Sequence, residues 1–186
     1  MKLKKPSLST IIFLICIALL VIPVTRQPIQ VAFHTLLSKM DPSTVSVDER
    51  KNISYSSWQL KSLEGETLSF ETTKDKVVFL NFWATWCPPC IAEFQAVQDL
   101  YSDYKGKVVF VLVSNESPNV IQKFLDKNGY DIVIYNSLTD YPEEFNPRSI
   151  PRTYLIDKNG QIVIDKDGAA DWNSASIRAL IDDLLL

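Results

Sequence analysis

Ile11 to Ile22 is an unbroken apolar run, set inside a stretch from Pro6 to Thr25 that carries no charge. Twenty residues of helix measure about 30 Å, the thickness of a hydrocarbon core. The pattern therefore predicts one N-terminal transmembrane helix. Residues 28–40 follow with Ile29, Val31, Ala32, Leu36, Leu37 and Met40 at spacings that suit a short amphipathic helix near a membrane surface. Asp41 to Asn52 is polar and reads as a linker. The chain thus divides into a signal anchor over 1–26, a juxtamembrane segment and linker over 27–52, and a globular domain over 53–186.

Within the domain, Trp58–Leu60 and Thr67–Phe70 flank Glu64-Gly65 and predict a hairpin. Val77 to Trp83 is nearly continuous apolar sequence, as expected of a central strand covered on both faces. From Pro88 to Tyr104, Ile91, Phe94, Val97, Leu100, Tyr101 and Tyr104 recur at three and four, which predicts a helix. Val108–Val113 reads as a second buried strand. Ser117-Pro118 opens a helix that Asn128-Gly129 closes. A strand is expected over Asp131–Tyr135. Thr153–Asp157 and Gln161–Asp165 bracket Lys158-Asn159-Gly160, an Asn-Gly hairpin signal. Asn173 or Ser174 caps a last helix. Alternating strands and helices closed by a hairpin predict an α/β fold around one central mixed sheet.

Charge sharpens the first segment. Lys2, Lys4, Lys5 and Arg26 give residues 1–26 a charge of +4 with no acid, so the rest of the chain carries −7 within a total of −3. Three lysines ahead of the apolar run place the N-terminus in the cytoplasm and the domain outside, facing the periplasm or another extracytoplasmic side of the inner membrane. A cleaved signal peptide would export the domain equally. The residues after the run, Val21-Ile22-Pro23-Val24-Thr25-Arg26, offer no small pair for a signal peptidase. A lipoprotein site at Cys16 is disfavoured by bulky Ile15 before it. The acidic remainder argues against a surface for nucleic acid.

Only three cysteines occur, Cys16, Cys87 and Cys90, too few for a disulfide scaffold. Cys87 and Cys90 stand three apart where a strand turns into a helix. That spacing puts them about one turn apart, within disulfide reach. Cys87, at the start of the helix, meets unpaired backbone N–H groups and the positive end of the dipole, which favour a thiolate. Cys87 is thus the attacking sulfur and Cys90 the resolving one, expected to be less exposed. Pro88 suits the first helical position. A zinc site would need four ligands, and the single histidine, His34, lies outside the domain. A c-type haem site would need histidine where Ile91 stands. A structural disulfide of so tight a loop would add little loop-closure entropy.

The segment Phe82-Trp83-Ala84-Thr85-Trp86-Cys87-Pro88-Pro89-Cys90, preceded by Asn81, resembles the active-site stretch of the thioredoxin superfamily, and within it the exported TlpA/ResA-like branch. Ser149-Ile150-Pro151-Arg152-Thr153-Tyr154-Leu155-Ile156-Asp157 resembles the superfamily's cis-proline loop. Together these cover residues 53–186. The resemblance implies a thioredoxin-like fold with an N-terminal hairpin and a helix–strand insertion between Cys90 and Pro151. It also implies a cis Ile150–Pro151 bond beside the cysteines, and a backbone there that pairs with an extended substrate peptide. Trp86 would be an exposed apolar platform at the site, and Trp83 core. Asn81 stands where minimal thioredoxins hold a buried acid, as is usual in this branch. Glu93, three residues after Cys90, is the nearest substitute acid and is expected to move protons when Cys90 becomes a thiolate. An alternative origin for Glu93 is the general preference for acids in first helical turns.

The activity implied is thiol–disulfide exchange on exported proteins, with electrons from a membrane thiol carrier and no metal, flavin or nucleotide cofactor. The resemblance favours reduction, and the reverse oxidase direction stays open, as does the substrate: apocytochromes of cytochrome c maturation, misoxidised exported proteins or a dedicated partner. A peroxiredoxin-type peroxidase is disfavoured because Thr85 lies only two residues before Cys87 and a second cysteine follows in CxxC spacing. A redox-inert binding module and a copper chaperone are weaker readings still.

Overall fold

The computed structural model describes residues 7–55, 57–145 and 147–186. Seven strands form one sheet in the order β2-β1-β5-β4-β3-β6-β7. They are β1 Gln59–Ser62, β2 Thr67–Ser69, β3 Val78–Phe82, β4 Val109–Val113, β5 Ile134–Ser137, β6 Arg152–Ile156 and β7 Ile162–Asp167. β3 runs parallel to β4 and antiparallel to β6, and β4 runs parallel to β5. All five residues of β3 are buried, as its continuous apolar run requires. Asn81 is the one polar side chain among them.

Helices α3 Pro88–Tyr104, α4 Pro118–Asn128 and α5 Ala175–Leu185 pack into one core with Phe79, Leu112, Leu155 and Ile164. The other face of the sheet is closed differently. Phe70 and Phe145, from two short 3-10 turns, gather with Trp58 over Leu80, Phe82 and Tyr154. Aromatic rings there do the covering that helices do on the first face: Trp58 lies 5.2 Å from Phe70 and 6.2 Å from Phe82, centroid to centroid. α4 ends at Gly129 in the left-handed region, φ +70°, as its C-terminal glycine predicts. Gly160 turns the β6–β7 hairpin at φ +77°, and a Cβ there would meet Tyr55 Oη at 3.1 Å.

Two expectations need revision. The strand expected over Asp131–Tyr135 forms over Ile134–Ser137 instead. The chain leaves α4 in the helix layer and needs residues 130–133 to descend to the sheet; buried Ile132 fills the core on the way without joining a ladder. The expected N-terminal anchor does not form one helix. Residues 1–6 of the expected anchor lie outside the described residues. The rest forms α1 Leu8–Val21 and α2 Pro23–Leu37, bent by 85° at the break. Pro23 cannot donate the N–H that would carry the helix through. The Thr25 hydroxyl satisfies the broken end by donating to Leu19 O at 2.7 Å. Among the described residues no single helix is long and apolar enough to cross a membrane; the bent pair passes that test of length and composition together.

α1 is exposed along its whole length. α2 lies against α3, with Gln30, Val31, His34 and Ser38 partly or fully covered on its inner side. Its outer side exposes Ile29, Phe33, Leu36 and Leu37. The stretch read as a linker runs along the β7 edge. Val45 N–H donates to Val163 O, Ile162 N–H donates to Lys51 O, and Asn52 bridges Gln161. That edge is thereby shielded from pairing with another chain.

Candidate active site

β3 delivers the chain to the site, and the turn after it sets the first cysteine at a helix start. Cys87 is the N-cap of α3, with extended backbone (φ −91°, ψ 105°), and Pro88 opens the helix. Cys87 and Cys90 are joined in a disulfide with Cα atoms 5.3 Å apart. Cys90 N–H donates to Cys87 Sγ at 3.3 Å, so a backbone donor of the first turn points at that sulfur. The same donor would stabilise a thiolate there. Cys87 is 3% exposed and Cys90 1%. In the oxidised state exposure therefore does not separate the two sulfurs, and their inequality rests on place along the helix.

The Ile150–Pro151 peptide is cis. It faces the disulfide, with Ile150 O 3.6 Å from Cys87 Sγ. Pro151 is buried, its carbonyl accepting from Gly168 N–H at 2.9 Å, whereas Ile150 is half-buried and borders a cleft of about 200 Å³. Trp86 is 65% exposed and lines that cleft together with Pro147 and Tyr141. Trp83 is core, its ring tilted against Phe94 with centroids 4.5 Å apart. Cys87, Cys90, Trp86, Pro88, Ile150 and Pro151 are thus brought to one end of the sheet. Among the described residues no group of three His, Cys, Asp or Glu side chains could hold a metal ion.

Glu93 lies beneath this surface, 2% exposed. Its Oε2 accepts from Ala170 N–H at 3.0 Å and from the Trp172 indole N–H at 2.9 Å. Its Oε1 accepts from Asn81 Nδ2 at 3.1 Å, and the same amide donates to Thr153 Oγ1 at 2.7 Å. Burial pushes the carboxyl up to about 7, against these donors and the Lys166 charge, which favour the ionised form. An acid poised near neutrality can take or give a proton without a large driving force. Trp172, which the sequence leaves without a role, is part of this cage.

A second carboxylate orders the loop. Glu116 accepts from Thr85 N–H at 2.6 Å and from the Thr85 hydroxyl at 2.7 Å. The Asn136 amide of β5 in turn donates to Ser114 O and, at 3.0 Å, to Glu116 O. The β4–α4 turn, held from β5, thereby braces the turn that carries Trp86 and Cys87. Sequence reasoning missed Glu116 and Asn136, because contacts spanning twenty to thirty residues leave no local pattern.

Residues 38–181 match the Redoxin family. The chain belongs to the Redoxin family. Within it, this Redoxin chain is a TlpA/ResA-like member of the thioredoxin superfamily. It is 38% identical over 108 residues to the thiol-disulfide oxidoreductase ResA of Halalkalibacterium halodurans, covering 56% of this chain and 61% of that one. It is 35% identical over 109 residues to the thioredoxin-like protein YneN of Bacillus subtilis, covering 56% and 64%. The matched stretch thus spans about three fifths of these relatives' lengths. StoA of Bacillus subtilis shares the fold at a TM-score of 0.56 and 24% identity, over 72% of this chain and 99% of that one. A DsbF homologue from Corynebacterium diphtheriae does so at 0.57 and 23%, over 75% and 90%.

Proposed function

We propose that the protein is a thiol–disulfide oxidoreductase that reduces disulfides of exported proteins. The observation that carries this is the Cys87–Cys90 disulfide at the head of α3, facing Ile150-Pro151 beside exposed Trp86. In the reduced enzyme, the Cys87 thiolate attacks one sulfur of a substrate disulfide and forms a mixed disulfide. The other substrate sulfur leaves as a thiolate and takes up a proton. Cys90 then attacks Cys87 Sγ, expels the second substrate thiolate and closes the disulfide seen here. Two electrons have passed to the substrate. Glu93 takes the proton Cys90 loses, its carboxyl being held near neutrality. The Ile150 backbone and Trp86 hold the substrate segment extended across the sulfur. A membrane thiol carrier returns the enzyme to the dithiol.

The domain works outside the membrane, tethered to it. α1 exposes an apolar surface along its whole length, and α2 turns Ile29, Phe33, Leu36 and Leu37 outward. So large an apolar surface is costly in water and fits a bilayer. The ResA relatives are named as thiol-disulfide oxidoreductases, which supports the chemistry. CxxC chemistry also runs in the oxidising direction, and the potential of the pair decides between the two.

The test is a trap. Cys90→Ala should accumulate a mixed disulfide with a protein substrate that thiols release. Cys87→Ala should abolish exchange and trap nothing. Trapping by neither variant overturns the assignment of roles.

A further inference from the structure

α2 lies outside the stretch that matches the Redoxin family, which begins at residue 38. It nevertheless borders the site. Gln27 Nε2 donates to Thr85 O at 3.5 Å, two residues before Cys87. Arg26, Gln27 and Gln30 face Trp86 and Pro88 across a cleft of about 270 Å³. Arg26 Nε donates to Gln30 Oε1 at 3.3 Å, which sets the guanidinium along that wall. The far end of the segment is pinned to the domain. Asp171 N–H donates to Met40 O at 3.2 Å, and the Ser176 hydroxyl donates to Asp41 Oδ2 at 2.5 Å.

Trp86 therefore stands between two clefts. One, on the Ile150 side, is bordered by Glu116 and Tyr141. The other is closed by α2, and Arg26 is the one cation bordering either of them among the described residues. A substrate segment crossing Cys87 from the Ile150 side runs on over Trp86 and meets this wall. Its donors suit main-chain carbonyls and carboxylates. We propose that the α2 wall is a specificity-determining part of the substrate site, in which Arg26, Gln27 and Gln30 select protein disulfides with acidic residues beside the cysteine. The proposal rests on the thiol–disulfide reading of Cys87 and Cys90. It makes the juxtamembrane helix part of the enzyme and not only its tether.

The experiment uses the full chain in detergent micelles at low ionic strength, where exposed charges are least screened. Two synthetic peptide disulfides serve as probes, identical except for aspartates or lysines flanking the cysteine. The ratio of kcat/KM for the acidic over the basic peptide is compared between the unaltered chain and Arg26→Glu. We expect a ratio above one that falls by about twofold to fivefold in the variant, the range of one exposed ion pair. Because both peptides meet the same enzyme, a general loss of fold or redox activity cancels from the ratio. In a second measurement, Gln30 is replaced by a photo-crosslinking residue in the Cys90→Ala background. Irradiating the mixed disulfide should give a product that survives thiol reduction. An unchanged ratio, or a product that thiols release completely, overturns the wall while leaving the redox reading intact. An unaltered chain that exchanges with neither peptide overturns both.

Discussion

At the scale of single residues, the site is an unequal pair of sulfurs above one buried acid. Glu93 is held neutral up to about pH 7 by burial, while in the unfolded chain it ionises near its ordinary value of 4.5. Between those two values the folded state binds a proton that the unfolded state has lost. The contribution of Glu93 is therefore fully present below about pH 4.5, falls as pH rises and is gone above about pH 7. The span corresponds to at most about 3 kcal/mol. Glu93→Gln should flatten the pH dependence of the denaturant midpoint across that window. It should also lower the exchange rate and remove an inflection near neutrality from its pH profile. A variant whose rate and profile match the unaltered protein would leave Glu93 a packing residue only. The acid and both cysteines were legible in the sequence, because CxxC at a strand–helix junction fixes the position three residues on. Asn81 was legible as the residue that replaces a buried acid but its partners were not, since Glu93 and Thr153 reach it from other elements. Trp172 was not legible at all: its indole meets Glu93 across 79 residues of chain.

At the scale of elements, the insertion has a mechanical task. The Ser114–Glu116 turn between β4 and α4, held by Asn136 of β5, clamps Thr85. Glu116→Ala leaves the half-buried Thr85 N–H without its acceptor. It should cost about 1–2 kcal/mol by denaturant unfolding. It should also slow exchange with protein disulfides, because the turn holding Trp86 and Cys87 loosens. Stability and exchange equal to the unaltered protein would show that the clamp is incidental. α3 and α4 form over the residues their periodicity and caps mark, because both ends are set locally by proline at the start and, for α4, glycine at the end. β5 begins three residues later and ends two residues later than expected, for the opposite reason. Where a chain leaves the helix layer and joins a ladder depends on β4 and β1, which pair with it at Ile134–Tyr135 and Tyr135–Ser137. The break at Ile22-Pro23 was signalled by the proline, yet the unbroken apolar run Ile11–Ile22 and the lack of charge as far as Thr25 outweighed it in the reading as one span.

At the scale of the molecule, a compact redox domain carries a bent pair of helices, α1 and α2, with α2 bordering its active site. If α1 and the outer side of α2 rest in a bilayer, the full chain should float with liposomes. Lysine at both Phe13 and Leu14 should release it without altering the domain's far-UV spectrum. Unchanged flotation would place the membrane contact elsewhere. The fold class, the position of the disulfide and the Ile150–Pro151 loop all follow from motifs within the domain. The docking of α2 on α3 does not, because its inner side sets Gln30, His34 and Ser38 beside Val31 while most of its apolar residues face outward, the reverse of the pattern by which a helix packing on a core is recognised. The most direct measurement is the equilibrium reduction potential of the Cys87/Cys90 pair, titrated in the full chain against a thiol–disulfide buffer. A reversible two-electron transition near or below about −270 mV, the range of thioredoxin, is the expected result and marks a reductant of exported proteins. A transition near about −120 mV, the range of strong bacterial disulfide donors, would make the protein an oxidant and contradict the direction proposed.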